Sequence, residues 1–196
     1  VVGVRLYNNE EYRSRRVISA CDGRGTIFNL LRGEFVNRRI KRRYDGHLPM
    51  WSQLQVSLGV NRDLSSEPNY VNYLLTEPRM IAGEERSSFG VRQYGFDPTL
   101  APEGKSSVIM TLVSSYDYWQ RIYGRTIYDH EQIQEADMLI DLLEEFYPGI
   151  KQDIELIDVA TPLSYERFTG NWHGSICGFL LTGETVPMMV FGMENT

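Results

Sequence analysis

The chain has 196 residues, 42% of them hydrophobic, 12% aromatic and 23% charged, proportions of an ordinary folded domain that exclude disordered, collagen-like and coiled-coil classes. A net charge of −6 excludes whole-surface attraction to nucleic acid, whose phosphates reward clustered positive charge. Two cysteines, Cys21 and Cys177, stand too far apart in sequence for a metal or redox motif and argue against a secreted disulfide framework, so a reducing, cytoplasmic setting is expected.

No apolar run reaches the ~18 residues of a membrane span. The opening VVGVRLYNNE has neither a basic leader nor a hydrophobic signal core and starts without methionine, so the chain is expected to be cut from a longer protein. Residues 1–7 and 15–21 are rich in β-formers and flank Asn8-Asn9-Glu10-Glu11, which predicts a hairpin with asparagine in the left-handed turn positions. After the strand VISAC, the run DGRGTIFNLLRG predicts a short helix capped by Asp22 or Thr26 and ended by Gly33. FVNRRIKRRYDG predicts an exposed basic helix, with Phe35 or Val36, Ile40 and Tyr44 in line and Arg38, Arg39, Lys41, Arg42 and Arg43 over the remaining face.

QLQVSLGVN alternates strictly, with Leu54, Val56, Leu58 and Val60 on one side and Gln53, Gln55, Ser57 and Gly59 on the other, and is the clearest strand. YVNYLLT, SFGVRQYGF and SSVIMTLVSS read as three more, separated by the loops TEPRMIAGEE and DPTLAPEGK. Residues 130–149 predict the longest helix, with an apolar stripe of Ile133, Ala136, Leu139, Ile140, Leu143 and Phe146, a capping box of Asp129 with Gln132, and Pro148-Gly149 as its stop. Its acidic residues, Glu135 among them, are assigned to solvent. IELIDVA follows as a strand and TPLSYERF as a short helix with Thr161 as cap and Pro162 in first position. The order predicts an α+β fold, a mixed and largely antiparallel sheet with helices on one face.

The run TGNWHGSICGFL gathers Trp172, His173, Ser175 and Cys177 among glycines. His173 and Cys177 have helical metal-ligand spacing, yet Gly174 and Gly178 weaken such a helix and His47 and His130 stand in no ligand-like cluster, so no metal site is expected. A Cys–His nucleophile pair lacks an identifiable orienting group. Gly23-x-Gly25 begins a phosphate-binding pattern that Phe28 breaks. RRIKRR lacks the aromatic platform of a nucleic-acid site, while an anionic membrane surface stays open as a peripheral partner.

The stretches VVGVRLYNNEEYRSRRVISACDG, LQVSLGVNRDLS and above all DVATPLSYERFTGNWHGSICGF resemble the phytoene dehydrogenase and carotenoid isomerase-like group of FAD-dependent oxidoreductases, over most of the chain. Asn8-Asn9 departs from the group's glycine-containing hairpin turn. The resemblance implies that residues 1–46 are a remnant of a FAD-binding domain and 47–196 a substrate domain returning toward a further flavin segment. An amino-terminal GxGxxG and a glycine-rich run after GMENT are both missing, which implies an excised portion that does not hold FAD or catalyse alone. The intact parent is then expected to act on a lipophilic polyene or isoprenoid-like substrate by hydride transfer with flavin, as desaturase, saturase or isomerase.

On this resemblance Ala20, Cys21 and Asp22 approach the cofactor, and Tyr165, Trp172, His173 and Ser175 line the substrate side. For each of these residues a plain core or hydrogen-bonding role stays open beside the ligand-facing one. No catalytic residue is assigned. Apolar surface around VPMMVFGM and the first hairpin, once pressed against the missing domain, implies self-association. The rival reading is a free-standing module that encloses a hydrophobic ligand between sheet and long helix without any cofactor.

Overall fold

A computed structural model describes residues 1–46, 48–124 and 127–187. Its first strands, β1 (Gly3–Arg5) and β2 (Glu11–Arg13), pair antiparallel around Asn9 at φ 68°, a left-handed conformation that asparagine tolerates. The hairpin is therefore tighter than expected. Residues 14–21 form no strand, and Ile18 is 94% exposed. A β-rich segment needs a neighbour for its backbone ladder, and no described strand pairs with VISAC.

The predicted short helix is wound wide, as a π-type turn over Gly25–Leu30 in which Leu31 N–H reaches Thr26 O at 3.0 Å. Asp22 Oδ1 accepts from Gly25 N–H at 2.7 Å, and Arg32 and Gly33 end the turn at positive φ. Helix α1 (Arg38–Arg43) is capped by Asn37, whose side chain accepts from Ile40 N–H at 2.9 Å. Its basic face is not wholly exposed: Arg43 turns inward beside Ile40 and keeps 6% of its surface.

Strands β3 (Gln53–Val60), β4 (Tyr70–Ile81), β5 (Glu84–Gln93), β6 (Ser106–Val113) and β7 (Ile154–Ala160) form one sheet in the order β4-β5-β6-β3-β7. Every pairing is antiparallel. TEPRMIAGEE is strand and turn rather than loop. An irregularity between Leu74 and Arg79 accommodates Pro78 on this edge strand, and Ala82-Gly83, both at positive φ, return the chain.

Helix α2 (Tyr116–Ile122), capped by Ser115, was not anticipated; it buries Trp119, whose Nε1–H donates to Ser114 Oγ at 2.9 Å. Helix α3 (Ile127–Phe146) starts earlier than expected, so Asp129 lies inside its first turn instead of capping it. The short α4 (Ile150–Asp153) leads into β7, and α5 (Pro162–Thr169) has a reciprocal capping box between Thr161 and Ser164. No described helix is long and apolar enough to cross a membrane.

The core is the apolar face of β3 with Val108, Met110, Phe89 and Val91, covered by Ala136, Leu139, Leu142 and Leu143 of α3. Two assignments on α3 are reversed: Ile133 is 61% exposed, and Glu135 is only 6% exposed. Glu135 lies inside, facing the β4–β5 turn at Ala82 and beside Glu131, with its Oε2 buried and without a hydrogen-bond partner. Burial, the largest influence, holds its pKa above the usual carboxylate value.

Candidate functional site

The loop after α5 is fixed by its backbone before any side chain is considered. Gly170 ends the helix at φ 72°, and His173 and Gly174 follow at φ 54° and 62°. A Cβ on Gly174 would stand 1.9 Å from Pro162 O, so only glycine fits there. Asn171 Nδ2 donates to Ser175 O at 2.8 Å, and Ser175 Oγ accepts from Gly178 N–H at 2.7 Å while donating to Gly178 O at 2.9 Å. Residues 176–180 then run antiparallel to 49–51 through three bonds, Ile176 N–H to Trp51 O, Trp51 N–H to Gly178 O and Leu180 N–H to Pro49 O, each 2.8–2.9 Å long.

This scaffold displays a run of rings. Trp172 lies 4.2 Å from His173, which stacks on Tyr116 at 4.5 Å with an interplanar angle of 8°. The His173 backbone is held at both ends, its N–H donating to Glu166 Oε1 at 3.2 Å and its carbonyl accepting from Ser52 Oγ at 2.5 Å. Tyr116 donates its phenol proton to the other Glu166 oxygen. On the far side Tyr44 joins Phe28, Trp172 and Phe179 at centroid distances of 5.8, 5.7 and 5.5 Å. The Arg24 guanidinium sits 5.0 Å over Trp172, and its buried Nε–H has no hydrogen-bond partner.

Burial pulls the His173 pKa down, outweighing Asp117 and Glu166, which push it up, while Arg24 adds to the depression. The imidazole is therefore neutral at neutral pH. Tyr116 is pushed upward by burial and then by the Glu166 hydrogen bond, and Tyr44 by burial and Asp22, so both remain phenols. The arrangement offers flat, uncharged walls and one unused donor. It presents no poised nucleophile.

The predicted residues fall into three places. Asp22 lies near Tyr44, its neighbour Gly23 being so close that a Cβ would meet the Tyr44 hydroxyl at 2.6 Å; Ala20 and Cys21 are exposed just before it. Trp172 and His173 stand on the other side of Tyr44, so the fold brings these two groups of candidates together. Tyr165 lies apart, its hydroxyl accepting from Gln53 Nε2 at 2.6 Å and donating to Gln55 Oε1 at 2.7 Å on β3. Ser175 is 3% exposed and closes the turn.

Sequence reasoning passed over Arg24, Tyr116 and Glu166 and read Tyr44 only as a helix face. The one available signal was Tyr44 itself, an aromatic directly after a basic helix. Among the described residues no group of three or more His, Cys, Asp or Glu is placed to hold a metal ion, and Cys177 is exposed.

No family profile matches the chain. It is 25% identical over 176 residues to a chloroplastic prolycopene isomerase of an Oncidium hybrid cultivar, covering 89% of this chain and 30% of that protein. The prolycopene isomerase of Daucus carota is 27% identical over 186 residues, with 89% and 29% covered. Pyridine nucleotide-disulfide oxidoreductase domain-containing protein 2 of Mus musculus is 25% identical over 193 residues, with 84% and 32% covered. The crystal structure of an oxidoreductase from Methanosarcina mazei matches at TM-score 0.50 and 18% identity over 82% of this chain and 34% of that one, which shows a shared fold. The chain thus spans about 30% of the length of the curated relatives it matches. This similarity along nearly the whole chain supports a phytoene dehydrogenase and carotenoid isomerase-like family.

Proposed function

We propose that the chain is the substrate-domain portion, with a piece of the cofactor domain, of a FAD-dependent oxidoreductase acting on a lipophilic polyene or isoprenoid-like substrate as desaturase, saturase or isomerase. The observation that carries this reading is the similarity to prolycopene isomerases over 89% of the chain. Bound flavin would supply the hydride acceptor or donor that none of the described side chains provides.

The residues present fit part of a cofactor seat. The unpartnered Arg24 Nε–H suits a carbonyl or phosphate oxygen beside Trp172, and the exposed backbone of Ala20 and Cys21 gives a ligand an edge to lie along. Asp22 is already engaged by Gly25 and orients that turn. Gly23-x-Gly25 opens a π-type turn rather than a phosphate-binding helix, so these 196 residues alone hold FAD weakly and are inactive in isolation. Phe28, Tyr44 and Phe179 exclude water, while Glu166 fixes the His173 backbone so that its neutral ring faces Tyr116. The natural partner of the exposed first hairpin is the remainder of the same polypeptide, and peripheral membrane contact in a reducing, cytoplasmic compartment completes the reading.

The test uses the natural reading frame that contains these residues. Its purified product is expected to carry flavin with visible absorption, and that absorption is expected to bleach anaerobically with an isoprenoid substrate. A full-length product without bound flavin would overturn the assignment.

A further inference from the structure

The sheet face turned away from α3 carries an unusual set of groups for a surface that receives a lipophile. In register across four strands, Gln55 stands opposite Thr111, Thr111 opposite Gly90, and Gly90 opposite Asn72. Beside this row runs a groove of about 380 Å³, with Gln53, Asn72, Tyr70 and Thr111 in its lining and Trp51 and Ile176 as apolar surface. A Cβ on Gly90 would lie 3.0 Å from the Tyr70 hydroxyl and 3.3 Å from Thr111 Oγ1, so two hydroxyls converge over a bare Cα.

Part of this set is already engaged by the fold. Gln53 and Gln55 bond to Tyr165. By contrast, the Tyr70 and Thr111 hydroxyls and the Asn72 amide make no side-chain hydrogen bond to another described residue. Arg86 lines both this groove and the one beside His173, and its Nε–H is buried without a partner. A hydrocarbon seated here strips water from these donors and acceptors and replaces none of the lost hydrogen bonds, whereas an oxygen function on the ligand replaces them. The charges point to a neutral ligand. Arg86 is ion-paired to Glu84, and Glu85 lines the same groove, so a free carboxylate meets opposing influences.

We propose that this groove selects an uncharged, oxygenated isoprenoid, bearing a hydroxyl or carbonyl, over the hydrocarbon with the same carbon skeleton. Tyr70, Thr111 and Asn72 are its specificity-determining residues. The assignment rests on the substrate-domain reading above and names the substrate class of that domain.

The test titrates the ¹⁵N-labelled 196-residue chain with geraniol and with myrcene, an isoprenoid alcohol and a hydrocarbon of equal carbon number, and follows the amide resonances of β4, β5 and β6. Geraniol is expected to bind about tenfold more tightly, the gain from one replaced hydrogen bond in a partly open site. Thr111→Val and Tyr70→Phe, which remove one hydroxyl each with little change of shape, are expected to bring the ratio near unity while leaving circular dichroism unchanged. Equal affinities, a preference for myrcene, no binding of either, or a preference unchanged in both variants would each overturn the proposal. Flavin is not read in this experiment. A full-length product that carries flavin while the groove prefers myrcene sinks the groove assignment alone, and one without flavin whose chain still prefers geraniol sinks the cofactor assignment alone.

Discussion

Replacing Gly174 with alanine tests whether the loop owes its shape to one backbone approach. The added Cβ would sit 1.9 Å from Pro162 O, 2.7 Å from its carbonyl carbon and 2.9 Å from its Cα, all main-chain atoms with no rotamer to relieve the contact. The residue also stands at φ 62°, where a side chain costs about 1 kcal/mol in backbone strain alone. Relief requires the loop to move away from the first turn of α5, which puts at risk the Ser52 bond to His173 O and the bond from His173 N–H to Glu166. Two such bonds at about 1 kcal/mol each, added to the strain and to imperfect repacking, give a loss of about 3–4 kcal/mol. Gly170→Ala is the internal control, because φ is 72° there and a Cβ would meet nothing within 4 Å, so it carries the strain without the collision. In urea, with a slope of about 2 kcal/mol per molar, Gly174→Ala is expected to lower the midpoint by ~1.5–2 M and Gly170→Ala by ~0.5 M. Equal shifts for the two variants would refute the argument, since the collision would then contribute nothing.

Three further outcomes are expected. Because burial depresses the His173 pKa below 6.5 in the folded chain, the unfolded state binds more protons between the two values; this contribution to stability is present above pH 6.5 and lost as pH falls through the folded pKa. His173→Phe is expected to flatten the slope of urea midpoint against pH in that window, and an unchanged slope would count against it. Glu135 has the opposite sign: its raised pKa makes its contribution complete below the unfolded value near 4.5 and lost as pH rises through the folded value, so Glu135→Gln is expected to raise the melting temperature more at pH 8 than at pH 4. A larger gain at pH 4 would reverse that assignment. Val2, Leu6, Tyr7 and Ile18 form exposed apolar surface on and after the first hairpin, so sedimentation is expected to show concentration-dependent self-association that is lost on deleting residues 1–21. A concentration-independent monomer would remove this expectation. Of the second stretch, VPMMVFGM, only Val186 and Pro187 belong to the described residues.

What could be read from the letters was what the letters decide locally. The alternation of β3 is visible because one of its faces is dry and the other is not, and α5 announces itself through Thr161, Pro162 and Gly170, whose effects act within a turn of the chain. Pro78 misled for the same reason. It is a breaker by local rules, yet an edge strand with an irregular register tolerates it. Glu135 was illegible because the turn it faces, at Ala82, is distant in sequence. The candidate site divides along the same line: Trp172 and His173 stand out in a glycine-rich run, whereas Arg24, Tyr44, Tyr116 and Glu166 acquire their roles only when separate elements meet.

The three main-chain bonds that stitch residues 176–180 to 49–51 tie the chain's path into the sheet to its path out. Departure and return share one seam, so a strain on either path falls on the same three bonds. The tilted ring contacts of Tyr44 with Trp172 and with Phe179, 5.7 and 5.5 Å between centroids, brace the same seam from the side. Loosening the stitch, for example with proline in place of Trp51, whose N–H donates to Gly178 O, would uncouple the two paths and let the rings part while the sheet itself stays whole.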